Sequence, residues 1–253
     1  MVRSGMRDAT PRGRVAALLG SGEFEPWSVE VDRWVLGHAR GGGGGVLVLP
    51  TASAPEGDEV FERWGAKGVA HFEALGVRAE VLPLKSRTDA ARPDLIEPLA
   101  RASAVYFSGG NPAYLARTLA GTSFWRELET ELDRGLAYAG CSAGVACLTE
   151  RTYDTGVTEL GPDLWKPGLG VVRGVLFGPH WDIVDSWIPG ARRFILASVP
   201  AGAVFVGIDE ETAIVGDGTS WSVLGRGGVR VLADGAWRAF AAGEGFALPL
   251  LPS

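Results

Sequence analysis

The sharpest chemical signal in the 253-residue chain is Gly140-Cys141-Ser142-Ala143-Gly144, a serine with a glycine two positions to either side. It follows the short apolar run Ala137–Ala139 and precedes Val145-Ala146-Cys147-Leu148, which could open a helix. In a strand-to-helix turn of this kind, glycines permit a strained bend that presents the serine hydroxyl at the top of a sheet. The N–H of Ala143 would then lie at a helix N-terminus, where it can stabilise an oxyanion. A plain tight turn would carry the same small residues, and with 37 glycines the pattern can arise by chance. Cys141 is the competing nucleophile. The residue before the centre of such a turn packs inward, however, and a buried cysteine behaves as a small hydrophobe.

A serine nucleophile needs a base, and the chain holds three histidines. His38 and His71 lie in helix-like stretches. His180 follows Ser142 in Leu176-Phe177-Gly178-Pro179-His180-Trp181-Asp182, at the end of an apolar run, where site residues collect in open α/β sheets. The imidazole in turn needs an acid to orient it. Gly207-Ile208-Asp209-Glu210-Glu211-Thr212-Ala213 offers three carboxylates, and composition does not choose among them. One more loop matters: Phe107-Ser108-Gly109-Gly110-Asn111-Pro112 precedes the helical stretch Ala113–Leu119. Asn111 can cap that helix with Pro112 at its first position, and the paired glycines can turn a backbone N–H into the crevice.

These residues need elements to position them. Short apolar runs suited to buried strands recur at Val15–Leu19, Val46–Leu49, Arg78–Leu82, Ala104–Phe107, Ala137–Ala139 and Ala203–Ile208. Between them, Val60–Leu75 and Phe124–Leu136 space their apolar residues three or four apart. That alternation predicts an α/β fold with a mostly parallel sheet flanked by helices. After Thr212 short strands and Gly/Asp turns predict antiparallel hairpins closing one edge. Residues 1–14 read as a mobile start and 15–253 as a single α/β domain. Gly41–Gly45 reads as a turn between helix and strand, since it lacks the Lys-Ser/Thr of a phosphate loop.

Ser108-Gly109-Gly110-Asn111, the serine elbow, His180 and Gly207-Ile208-Asp209-Glu210, in this order, resemble the serine peptidases that include cyanophycinase and aspartyl dipeptidase (peptidase E). Leu49-Pro50-Thr51-Ala52-Ser53 and the Gly-Ile-Asp-Glu-x-Thr-Ala pattern are similar to segments of the cyanophycinase branch. The likeness runs from about Val15 to Ala213. It implies a class I glutamine amidotransferase-like fold in which Ser replaces the usual Cys. Ser142 then matches the nucleophile, His180 the base and Glu210 the acid, ahead of Asp209 and Glu211. Gly110 and Ala143 match the oxyanion donors, and Asn111 a substrate contact close to the dipeptidase pattern. The implied activity is hydrolysis of a small peptide or isopeptide next to an aspartyl residue, without metal or cofactor; a homodimer is common among such proteins. The chain departs from the cyanophycinase branch at Asn111-Pro112, where Gln is usual, at Pro179, and in Trp181–Asp185, where arginines are usual. These departures weigh against cyanophycin itself as substrate. Trp165, Trp181 and Trp187 could line the pocket or pack in the core.

A net charge of −6 removes the attraction that non-specific nucleic-acid or anionic-membrane binding needs. No apolar stretch reaches the roughly 20 residues that span a bilayer, so the expectation is a cytoplasmic protein. Two cysteines make no disulfide framework, and with three histidines they form no zinc-spaced cluster. Two other readings stand beside the peptidase. An α/β-hydrolase esterase would draw its acid from Asp154, Glu159 or Asp163, ahead of the histidine. A non-catalytic binding protein would keep the fold and lose turnover.

Overall fold

The computed structural model describes residues 13–41, 44–157 and 159–251. The predicted mobile start thus falls almost wholly outside the described residues, as do residues 42–43 of the glycine run. In chain order the elements are β1 (Ala16–Leu19), α1 (Val29–His38), β2 (Val46–Leu49), α2 (Asp58–Ala74), β3 (Ala79–Val81), α3 (Pro93–Ile96), β4 (Ala104–Phe107), α4 (Pro112–Leu119), α5 (Ser123–Asp133), β5 (Ala137–Cys141) and α6 (Ala143–Ala146). There follow β6 (Arg151–Tyr153), β7 (Trp165–Pro167), β8 (Val175–Pro179), α7 (Val184–Trp187), α8 (Ala191–Ala197), β9 (Val204–Ile208), β10 (Thr212–Gly216), β11 (Ser220–Gly225), β12 (Gly228–Ala233), β13 (Ala236–Ala241) and β14 (Gly245–Ala247).

The large sheet has the order β14-β11-β10-β1-β5-β4-β2-β3, with β1, β5, β4, β2 and β3 parallel. Its central strands are apolar throughout because both faces are covered. Ala17 and Leu19 point to the core with Val31, Val35 and Phe72 of α1 and α2. Ala16 and Leu18 point the other way, to Leu115 of α4 and Phe124 and Leu128 of α5. The spacing Phe124, Leu128, Leu132 puts one apolar stripe of α5 inward, and Thr122 caps its start by accepting from the N–H of Trp125 at 3.2 Å.

The C-terminal strands divide between two sheets rather than closing a single edge. β10, β11 and β14 extend the large sheet antiparallel beyond β1, whereas the β12–β13 hairpin joins β9 and β8 in a four-stranded sheet. Alternation along β12 explains the division: Val229 and Val231 join the core shared with α4 and α5, while pairing with β9 covers an edge that would otherwise be open. The apolar runs alone do not indicate this four-stranded sheet, because it depends on pairing between β12 and β9. β8 and β9 run parallel, with Pro179 opposite Ile208, so the residues after them emerge side by side.

Candidate active site

Four strand ends of the large sheet and two of the smaller one converge. In the parallel register Leu19 lies opposite Cys141, Gly140 opposite Phe107, and Phe107 opposite Leu49. The chain segments that follow all leave the same edge of the sheet. Ser142 sits at the turn from β5 to α6 with φ 49° and ψ −99°, a conformation that side-chain-bearing residues rarely adopt. The bend is held by the Ser142 N–H, which donates to Leu19 O at 2.9 Å. A side chain at Gly140 would meet the carbonyl oxygen of Gly144 at 2.5 Å, so the elbow needs glycine there. His180 and Glu211 also have positive φ, at 55° and 48°. The other non-glycine residues with positive φ among the described residues are Phe24 and Asp234.

His180 Nε2 lies 2.8 Å from Ser142 Oγ and His180 Nδ1 lies 2.8 Å from Glu210 Oε1. The tautomer that satisfies both contacts has the proton on Nδ1, donating to the Glu210 carboxylate, and leaves Nε2 to accept from the serine hydroxyl. The β8–β9 register brings this pair together across 30 residues of sequence. The neighbouring acids turn elsewhere. Asp209 is buried, paired with Arg230 at 2.6 Å and accepting from the N–H of Gly228. Glu211 pairs with Arg226 at 2.6 Å. Asp154 accepts from Asn111 and from the Gly156 N–H, and that hydrogen bond from Asn111 holds its carboxyl below the usual range. Thus the acid that touches His180 comes after it in the chain, not before it.

The N–H groups of Gly110 and Ala143 have no acceptor among the described residues. Gly109 N–H is already taken by Glu23, which singles out Gly110 in that loop. Gly110 adopts φ 138°, and a Cβ there would strike the Ala52 carbonyl carbon at 2.4 Å. The segment Leu49–Ser53 therefore serves as the wall behind the loop, and Asn111 N–H fastens it by donating to Ala52 O at 2.9 Å. Asn111 itself is largely committed: its Oδ1 accepts from the Tyr114 N–H and its Nδ2 donates to Asp154. Capping thus accounts for most of its side chain.

Of the three tryptophans, Trp181 is buried against Phe205 and Trp165 stacks on Phe194. Only Trp187 stands open, 57% exposed, with its ring 4.7 Å from that of His180. Cys141 is fully buried; burial first, then the carboxylate of Glu23, pushes its thiol well above the usual range. It stays protonated and donates to Glu23 at 2.9 Å. Glu23 and Asp182 are the contributors that sequence reasoning missed. Asp182 accepts from the Glu210 N–H at 2.8 Å and its backbone carbonyl accepts from Arg192. The signal for Glu23 was a carboxylate just past a glycine turn at a strand end, in Gly20-Ser21-Gly22-Glu23. No group of three or more His, Cys, Asp or Glu side chains among the described residues could hold a metal ion, and no described helix is long and apolar enough to cross a membrane.

Residues 16–224 match peptidase family S51. The chain belongs to that family. It is 31% identical over 170 residues to a cyanophycinase from Synechococcus elongatus, covering 64% of this chain and 51% of that one. The chain therefore spans about half the length of this relative. Among solved structures it is similar to a peptidase from an acI-B1 Actinobacterium, with TM-score 0.81, 30% identity, and coverage of 94% and 99%. A putative peptidase E protein from Listeria monocytogenes EGD-e shares the fold at 18% identity and TM-score 0.59, covering 85% of this chain and 99% of that one.

Proposed function

We propose that this family S51 chain is a serine peptidase that cleaves a small peptide or isopeptide next to an aspartyl residue. The observation that carries the reading is the hydrogen-bonded series Ser142–His180–Glu210. Ser142 Oγ attacks the scissile carbonyl carbon while His180 Nε2 takes its proton. Glu210 keeps the imidazole in the required tautomer and faces the imidazolium as it forms. The N–H groups of Gly110 and Ala143 receive the developing oxyanion. His180 then gives its proton to the leaving amine, and an acyl-enzyme remains on Ser142. Water, deprotonated by the same histidine, attacks the ester and releases the acid. The aspartyl preference rests on the likeness to cyanophycinase and peptidase E alone.

A fluorophosphonate probe and a dipeptide library with Asp-X and β-Asp-X members test this reading. Wild-type protein is expected to be labelled and to cleave aspartyl members, and Ser142→Ala to do neither while unfolding at the wild-type temperature. Equal labelling of both proteins would overturn the assignment of the nucleophile. An unlabelled wild type that still binds a peptide by thermal shift would favour a non-catalytic binding protein.

A further inference from the structure

Glu23 is 4% exposed, yet it makes no ion pair with a Lys, Arg or His among the described residues. Burying a carboxylate without a counter-ion is unfavourable, and a leucine would fill the space without that cost. Its two oxygens divide their work between two neighbouring loops. Oε1 accepts from the Gly109 N–H at 2.7 Å, and Oε2 from the Cys141 thiol at 2.9 Å. Gly109 immediately precedes Gly110, and Cys141 immediately precedes Ser142. One carboxylate thus joins the residue before the loop's free N–H to the residue before the serine. The turn that carries it also reaches the third loop, because Ser21 Oγ accepts from the Glu211 N–H at 3.1 Å.

We propose that Glu23 is a positioning residue that clamps the Gly110 loop to the serine elbow and so sets the oxyanion donors relative to Ser142 Oγ. The proposal rests on the serine-peptidase reading above. Fixing the Gly109 N–H restricts how the next peptide unit can rotate, and that unit carries the Gly110 N–H. A buried thiol that remains protonated is the matching donor on the elbow side. The packing around the turn keeps the carboxylate from swinging away: Phe24 is held at φ 61° with its ring 4.6 Å from that of Tyr106. Rigid placement matters here because a shift of about 1 Å in such a donor can cost on the order of 100-fold in rate.

The test compares wild type, Glu23→Gln, Glu23→Leu and Cys141→Ala. The rate constant for phosphonylation of Ser142 by a fluorophosphonate is separated from the probe's binding constant, and amide hydrogen exchange is followed at Gly109. Glu23→Leu should lower the rate constant by ~10- to 100-fold with binding changed less than about 3-fold, and should raise exchange at Gly109, whose N–H loses its acceptor. Glu23→Gln, which keeps an oxygen acceptor for Gly109 and can donate from its amide nitrogen to the Cys141 sulfur, should stay within about 5-fold of wild type and retain protection at Gly109. Cys141→Ala, which frees the elbow side alone, should fall between them. An unchanged rate constant in Glu23→Leu or in Cys141→Ala, or a Gln variant as slow as the Leu variant, would overturn the clamp. Should Glu23→Leu fail to fold, the Gln and Cys141 variants decide it. Failure of the wild type to be labelled counts against the peptidase reading instead, and the exchange comparison then judges the clamp by itself.

Discussion

Asp209, Glu210 and Glu211 are adjacent in sequence and differ entirely in surroundings, so they separate three effects that a single acidic cluster would blur. Glu210 contacts the imidazole, Asp209 is spent on Arg230 and Gly228, and Glu211 on Arg226. Glu210→Gln should lower kcat by roughly 10³- to 10⁴-fold with little change in KM, because an amide can donate to Nδ1 and favour the wrong tautomer. Asp209→Asn should instead lower the unfolding temperature, with kcat per folded molecule within about 3-fold of wild type, since an amide nitrogen replaces one of the two buried oxygens that accept from Arg230 and the Gly228 N–H. Steady-state kinetics beside thermal unfolding distinguishes the two. Had the acid preceded the histidine, as in an α/β-hydrolase, the loss would follow Asp163→Asn.

The elements around the site depend on a few capping and close-packing positions. Asn111 closes the N-terminus of α4 and ties it to Asp154, so Asn111→Ala should destabilise the protein by about 1 kcal/mol, read from the urea midpoint. Gly110→Ala should do more damage. The new methyl group meets the Ala52 backbone, and φ 138° strains any residue with a side chain. We expect it to reduce kcat by on the order of 100-fold or more by displacing the N–H of that loop, an outcome measurable in the labelling rate. The large sheet and the four-stranded sheet meet at this scale as well, because the elbow follows a strand of the first and the His180–Glu210 pair follows strands of the second. Core substitutions between the sheets, such as Ile208→Ala, should therefore slow labelling as well as lower stability.

For the whole molecule, the buried thiols link stability to alkaline pH. Burial raises Cys147 to about 12, against about 8.5 for an exposed thiol. The sign follows from proton binding: above pH ~8.5 the unfolded chain loses this proton while the folded chain keeps it. Stability from this group is complete below the unfolded value and is lost progressively as pH rises toward the folded one. From pH 8.5 to 10 the loss should be ~2 kcal/mol for Cys147, with Cys141 adding to the same trend. Urea midpoints from pH 7.5 to 10 should fall accordingly, and Cys147→Ala should flatten the slope.

Sequence by itself determined the elements that local pattern controls. The apolar runs of β1, β2, β4 and β5, the apolar spacing of α2 and α5, and the glycines of the elbow are short-range features, legible because burial and backbone strain act on neighbouring residues. Ser142 and His180 were legible for the same reason, as a serine in a strained turn and the one histidine outside a helix-like stretch. Tertiary structure decided what depends on pairing between distant strands. It separated Glu210 from its acidic neighbours, drew β12 and β13 into a second sheet, and committed most of Asn111 to a helix cap. It also buried Glu23 behind the elbow. A carboxylate's partner is set by strand register and burial, and neither is contained in the run of residues around it.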